Sequence, residues 1–238
     1  MNYDNFHSRI DVQKKIISFK NFTYRNTLKL INIVPKTNRR TVLDYGCGVG
    51  TVDFYLAKNG SNVLGLEVSQ KAIAVCKKSA QAIGVSERCV FASTNTHIIK
   101  KFDLILCSEV IEHVKDDKKL LTKLCDLLNK GGYMFVSTPS VNAPLYKLGL
   151  LSNFDKRVGH LRRYELNELV AKLKSHKLKI IRIDKKEGIL RNSLFVFSEL
   201  SWMIRFLKGP LSDLVSFIDE ILVRLIGESN LLILVKKQ

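Results

Sequence analysis

The stretch "VLDYGCGVG", Val42 to Gly50, decides how the rest of the chain is read. A short apolar run carries an acid, Asp44, and glycines follow at positions 46, 48 and 50. Alternate glycines directly after a strand and directly before a helix remove side chains where a backbone meets a ligand. The nicotinamide fingerprint GxGxxG requires glycine at position 51, which is Thr51, so the spacing disfavours a dinucleotide. The next apolar run, "NVLGLEV" (62–68), reaches an acid at Glu67, where a carboxylate accepts both hydroxyls of a ribose. The competing reading is a tight turn and a charged strand tip with nothing bound.

Outward from that turn, short apolar runs alternate with amphipathic segments. "TVLDYG" (41–46), "NVLGLEV", "CVFAS" (89–93), "FDLILCS" (102–108) and "GGYMFVSTP" (131–139) read as strands. "SQKAIAVCKKSAQAIG" (69–84), "DDKKLLTKLCDLLN" (116–129) and "ELNELVAKLKSH" (165–176) read as helices. The alternation predicts an α/β fold whose mostly parallel sheet has helices on both faces. "LKIIRID" (178–184) and "NLLILVKK" (230–237) add two further strands. Residues 12–34 predict one more helix, with Ile16, Phe19, Tyr24, Leu28 and Ile31 on its apolar face and Pro35 ending it. The expected organisation is one domain over 1–238: an N-terminal helical segment (1–40), a cofactor-binding core (41–188), an apolar helical insertion (189–229) and a final strand (230–238).

The insertion is far longer than the two to five residues of a hairpin loop, so it has a purpose of its own. Gly209 and Pro210 divide it into two helical patterns. In the first, Ser198, Ser201, Arg205 and Lys208 form a thin polar stripe on a cylinder bearing Phe195, Phe197, Trp202, Ile204 and Phe206. In the second, Leu211, Leu214, Val215, Ile218, Leu222 and Leu225 oppose Asp213, Ser216, Glu220 and Arg224. Apolar helices with an edge Trp and nearby cations suit a peripheral membrane contact through 189–226, and equally a lid over a pocket or a dimer face.

Composition narrows the class. With 46% apolar residues and a mean hydropathy of +0.02, the 238 residues describe a globular protein with a real core. The excess of 39 basic over 22 acidic residues, net +17, favours anionic surroundings such as nucleic acid, phosphorylated glycans or an acidic bilayer; scattered lysines are the plainer explanation. Five cysteines at 47, 76, 89, 107 and 125, without a CxxC pair, read as buried thiols in a reducing cytoplasm. No apolar h-region opens the chain and no run approaches the roughly 20 residues of a membrane span, so export and spanning are not expected.

After the "FDLILC" strand, "SEVIEHVKDD" (108–117) places Glu109, Glu112 and His113 within five residues. On a helical turn these lie on one face, at the strand ends where α/β proteins bind ligands. "VGHLRRYELNEL" (158–169) offers His160 as a fourth group. Two carboxylates and two imidazoles suit a divalent cation such as Mg²⁺ or Mn²⁺. Alternatively the carboxylates orient a cofactor amine and cap the next helix, while His113 packs in the core. Lys156, Arg162 and Arg163 lie beside the same mouth, as solvated charges or as partners for a phosphate or carboxylate.

These segments together resemble the class I S-adenosylmethionine-dependent methyltransferases. "VLDYGCGVG" is similar to their first motif, "VLGLEVS" to the acidic second strand, "FDLILCSEVIEHV" to the fourth-strand motif and "LLNKGGYMFVSTPS" to the turn and fifth strand, over roughly residues 40–188 and the last strand. The resemblance implies a Rossmann-like seven-stranded sheet with the last strand antiparallel. It further implies S-adenosylmethionine held by Asp44, Gly46, Cys47, Gly48 and Gly50 at its methionine portion and by Glu67 and Val68 at its ribose, with Ser108 and Glu109 beside it. The family often has an acid after the third strand for the adenine amine; here "VFASTNTH" offers only Ser93 and Thr94.

"EVIEHV" followed by a His ahead of an "xxEL" helix is similar to ubiquinone-pathway O-methyltransferases and to small-RNA ribose methyltransferases; bacterial glycan and lipid-sugar methyltransferases resemble "EVIEH", "STPS" and "GHLRRY". The expected function is therefore O-methylation of a hydroxyl on a lipid-linked, quinone-like or glycan acceptor. His113 or His160 would act as base, or a metal on Glu109, Glu112, His113 and His160 would lower the hydroxyl pKa. The expected place is the cytoplasm, peripherally at the inner face of the membrane. Metal-dependent RNA ribose methylation is the alternative, disfavoured by the lack of aromatic interleaving among the basic residues. A non-catalytic S-adenosylmethionine-binding regulator is the third.

Overall fold

The computed structural model describes residues 11–36 and 40–238. Its elements run α1 (Arg25–Ile31), β1 (Thr41–Tyr45), α2 (Thr51–Lys58), β2 (Asn62–Glu67), α3 (Gln70–Ile83), β3 (Cys89–Ser93), β4 (Phe102–Ser108), a 3-10 turn (Ile111–His113), α4 (Asp117–Leu127), β5 (Leu128–Pro139), α5 (Pro144–Lys147), α6 (Ser152–Val158), α7 (Leu166–Ser175), β6 (Leu178–Lys186), α8 (Ile189–Val196), α9 (Ser198–Ser201), a 3-10 turn (Trp202–Arg205), α10 (Gly209–Ile226) and β7 (Asn230–Lys237). The seven strands form one sheet in the order β3-β2-β1-β4-β5-β7-β6. The pairs within β3-β2-β1-β4-β5 are parallel, and β7 runs antiparallel to both β5 and β6. This is the Rossmann-like arrangement expected, with β7 wedged between β5 and β6.

Alternation along each strand sorts the core into two layers. Val42, Val63, Leu104 and Phe135 face α1, α2 and α3, whose Leu28, Phe54 and Cys76 complete one layer. Leu43, Ile105, Met134 and Ile233 face α4 and α7, whose Leu121, Leu124 and Leu169 complete the other. Local chemistry sets the helix starts. Ser69 caps α3 by accepting from the Ala72 N–H at 3.1 Å, and Asp116 caps α4 by accepting from Lys119 at 2.8 Å. Four of the five cysteines are buried, Cys47 is half-buried, and all are free thiols.

Two expectations are corrected. The helix predicted over 12–34 is confined to Arg25–Ile31, and most of 11–24 lacks regular structure. The Asn21 side chain accepts from the N–H groups of Thr23 and Tyr24, closing a turn ahead of the helix, and upstream Ile16 and Ile17 pack on the core as a strap. Of the expected 1–40 segment, residues 1–10 and 37–39 lie outside the described residues. The first insertion helix breaks into α8, α9 and a 3-10 turn, because the α8 pattern stops at Phe197 with an extended backbone. Among the described residues no helix is long and apolar enough to cross a membrane.

Candidate active site

The glycine turn is built as its spacing requires. Gly46, Gly48 and Gly50 have φ of 82°, 55° and 74°, the left-handed region that side chains rarely adopt. A Cβ on Gly46 would also clash with Val110 Cγ2. Glu67 anchors the turn: one carboxylate oxygen accepts from Gly48 N–H at 3.0 Å, the other from Val68 and Ser69 N–H at 2.8 and 3.0 Å. A ribose arriving here meets a carboxylate already oriented. The strap reinforces the turn from outside, where Gln13 Nε2 donates to Val49 O and Thr51 Oγ1, both at 3.0 Å.

Beneath the turn, Asp44 and Asp53 are buried side by side. Neither oxygen of Asp53 has a hydrogen-bond partner, an environment that disfavours its charged form. Burial and the neighbouring Asp44 charge push the Asp53 pKa far up. Burial raises Asp44 to about 7, against the lowering effect of the Asp53 carboxyl beside it. Burial here outweighs pairing, which leaves a carboxylate poised to ionise when a cation approaches.

Above the turn lies a cavity of about 630 Å³ lined by Gly46, Gly48, Glu67, Val68, Ser108, Glu109, His113 and His160. Tyr24, Tyr45, Thr94, Val110, Val114 and Val158 complete the wall; of these, sequence reasoning offered only Thr94, as a candidate for the adenine contact. Asp44, Cys47 and Gly50 lie outside the lining, and Thr94 occupies the wall in place of Ser93, whose Oγ accepts from Asn95 N–H at 3.4 Å.

The acids and histidines are not spread along one helical turn. Glu109 precedes the 3-10 turn at φ 54°, a conformation that costs energy in a non-glycine residue and clusters at functional sites. Its carboxylate accepts from Ser137 Oγ at 2.7 Å and Asn230 Nδ2 at 3.0 Å. The structure therefore brings together Glu112, His113 and His160, with one ligand atom of each within 4.8 Å of the others, and leaves Glu109 outside that group. Glu112 is fully buried; its Oε2 accepts from Thr138 Oγ1 at 3.0 Å, while Oε1 has no hydrogen-bond partner. That orphaned oxygen lies 3.9 Å from Nε2 of both His113 and His160.

Both imidazoles are fixed from behind. His113 Nδ1 meets Gly159 O at 3.0 Å, and His160 Nδ1 meets Asp155 Oδ1 at 2.9 Å. An acceptor at each Nδ1 requires the proton there, which turns the Nε2 lone pairs toward Glu112. Burial lowers the His113 pKa, keeping it neutral, and burial with the nearby Glu109 charge raises that of Glu112. Asp155 is also burial-raised, but hydrogen bonds from His160 and Arg163 outweigh this and bring it down to about 2. Arg163 is thus paired with Asp155 at 2.6 Å and Arg162 with Asp117 at 3.2 Å.

His160, Ser108, Glu109 and Tyr24 also border a second cavity of about 250 Å³. Phe154 and Phe195 wall it, and Asn192 Oδ1, Ser229 Oγ and Asn230 Oδ1, all buried and without partners, belong to residues that line it. Sequence reasoning named none of these three, because 192, 229 and 230 meet the site only through the order of β5, β7 and the insertion.

A glycine turn, an oriented acid at the tip of β2 and a polar cluster at the end of β4 define a nucleoside-binding α/β domain with a smaller cavity adjoining. The methyltransferase domain family matches residues 36–187, and the chain belongs to it, as a class I S-adenosylmethionine-dependent methyltransferase domain. It is similar to the ubiquinone biosynthesis O-methyltransferase of Coxiella burnetii (strain RSA 493 / Nine Mile phase I), 36% identical over 121 residues, covering 50% of this chain and 52% of that protein. The namesake enzyme of Actinobacillus pleuropneumoniae serotype 7 (strain AP76) is 33% identical over 145 residues, 56% of this chain and 62% of that one. The chain thus spans little more than half the length of these curated relatives. In fold it is similar to magnesium protoporphyrin IX methyltransferase from Synechocystis PCC 6803, with a TM-score of 0.63 and 14% identity over 100% of this chain and 96% of that one.

Proposed function

We propose that this chain transfers a methyl group from S-adenosylmethionine to a hydroxyl on a lipid-linked, quinone-like or glycan acceptor at the inner face of the membrane. The observation that carries the reading is the position of His160, on the wall between the larger cavity over the glycine turn and the smaller polar one. When bound, S-adenosylmethionine supplies a methyl group on a sulfonium, so an oxygen–carbon bond forms as the sulfur–carbon bond breaks. Alignment of the two partners supplies most of the acceleration. The glycine turn, through Gly46 and Gly48 on the cavity wall with Asp44 beneath them, receives the methionine portion, and Glu67 and Val68 the ribose. The acceptor lies between Phe154 and Phe195 with its polar groups on Asn192, Ser229 and Asn230. His160 Nε2 takes the hydroxyl proton, its tautomer fixed by Asp155.

A divalent cation is the alternative to the histidine base, because the one lone pair of His160 Nε2 serves either a proton or an ion. The orphaned Glu112 oxygen and two Nε2 lone pairs form a mixed donor set, which suits Mn²⁺ better than the oxygen-seeking Mg²⁺. Such an ion would lower the hydroxyl pKa. The test is incubation of the full chain with labelled S-adenosylmethionine and fractionated lipid, glycan and RNA extracts, with and without chelator. Label in the lipid or glycan fraction is expected. Label in RNA alone would replace the reading with ribose methylation, and nucleoside binding without any transfer would make the chain a regulator. Activity unchanged by chelation would remove the ion.

A further inference from the structure

The helix α10 is mounted inside out. An amphipathic helix on a protein in water turns its apolar side inward. Here Ser212, Ser216 and Asp219 are the residues buried, at 1%, 9% and 1% exposure. Polar contacts anchor that face: Arg25 Nη1 donates to Ser216 Oγ at 2.7 Å and Ser212 O at 3.2 Å, and Asp219 accepts from the Gly188 and Arg191 N–H groups at 2.8 and 3.1 Å. Leu211, Leu214, Ile218, Ile221 and Leu225, spaced three and four apart on one face, are 41–73% exposed, and Phe217 beside them is 63% exposed. Trp202 and Phe206, in edge-to-face contact at 5.6 Å just ahead of α10, are exposed as well. An exposed apolar stripe of this length marks an interaction surface.

Charge decides what covers it. Exposed Arg205 and Lys208 flank the start of α10. At its far end Lys147, Lys185, Lys186 and Arg224 line a groove with Leu225 and Ile226. Within that groove Glu220 pairs with Lys186 and Glu228 with Lys185, while Asp184 pairs with Arg182, so Lys147 and Arg224 are the groove cations outside these ion pairs. A second copy would bring another net +17 against these cations, whereas an anionic headgroup layer would neutralise them. We propose that α10 lies in the headgroup layer of an anionic bilayer, apolar stripe inward to the acyl chains, with the cations at its two ends on lipid phosphates and Trp202 at the boundary.

Docking in this way explains the acceptor cavity's construction, since the same insertion supplies Asn192 and Phe195 to its wall. That link rests on the proposed acceptor, but docking itself does not, and the two fail separately. The test is co-sedimentation of the full chain with vesicles of phosphatidylcholine alone or with one third phosphatidylglycerol, beside the double variant Leu214→Ser/Phe217→Ser. Binding to the anionic vesicles, at least tenfold weaker in the variant and weakened by salt, is expected. The variant's affinity for S-adenosylhomocysteine, measured by calorimetry, should equal the parent's, which shows an intact fold. If the variant fails to fold, Leu225→Ser replaces it. No binding to either vesicle overturns the proposal, as does a lipid-free dimer that the substitutions dissociate. Intact vesicle binding with no methyl transfer would overturn the proposed function and leave docking standing.

Discussion

Glu112 contradicts the ordinary rule for buried carboxylates: one oxygen is satisfied by Thr138 and the other faces two imidazole lone pairs. Such a group costs stability unless a proton or a cation sits beside it. Glu112→Gln keeps the shape and removes the charge, so the fold should survive. Because this carboxylate stands beside both imidazoles, including the proposed base, the expected outcome is a drop in kcat of about 10²-fold at unchanged affinity for S-adenosylhomocysteine. Steady-state kinetics and calorimetry would check it together.

Asp44 gives the second residue-scale prediction. Its folded pKa, about 7, lies above the ordinary 3.8, so between those values the folded chain holds a proton the unfolded chain has lost. The stability this contributes is complete below about pH 4 and is lost as pH rises through 7. Thermal unfolding of the ligand-free chain should therefore show a stability falling between about pH 4 and 7 and levelling off above, less steeply in Asp44→Asn. A cationic ligand has the opposite preference and should bind more tightly as pH rises through 7. Asp44 was legible in the sequence as a motif acid. Its partner Asp53 was not, because one turn into a helix an acid reads as a solvated or dipole-favoured charge.

At the scale of elements, the strands and the glycine turn followed from patterns the chain carries locally, whereas the strap did not. Ile16, Leu28 and Ile31 are all buried or half-buried, which satisfies a helical period, yet Asn21 interrupts it and Phe19 faces water. Periodicity reports burial, not the hydrogen bonds that produce it. The same limitation applies to α10: its apolar face was found from spacing, but the sequence could not tell that Arg25, 191 positions earlier, would claim Ser216. The strap's role is testable through Gln13, whose amide closes the outside of the turn. Each such bond has a net value of about 0.5–1.5 kcal/mol. Gln13→Ala should weaken S-adenosylhomocysteine binding about three- to tenfold in calorimetry, with kcat at saturating cofactor unchanged.

Over the whole molecule, the smaller cavity, proposed for the acceptor, belongs to no single stretch of chain. It draws on residues 23–27, 108–109, 137–139, 154–163, 187–195 and 229–232, gathered because β7 inserts between β5 and β6. The crossing point is Asn230, opposite Pro139 in the β5–β7 register, whose Nδ2 donates to Glu109 while its Oδ1 has no partner. It is the contact through which the last strand reaches the residue between the two cavities. Asn230→Ala should leave the sheet intact, since the ladder bonds come from its backbone. Losing one polar contact to the acceptor, together with the orientation of Glu109, should raise KM for the acceptor about tenfold, equivalent to about 1.4 kcal/mol. S-adenosylhomocysteine affinity should change less than twofold. If instead cofactor affinity falls as far as acceptor KM rises, the small cavity is an extension of the nucleoside site, and the hydroxyl must approach from the side of Val114 and Val158.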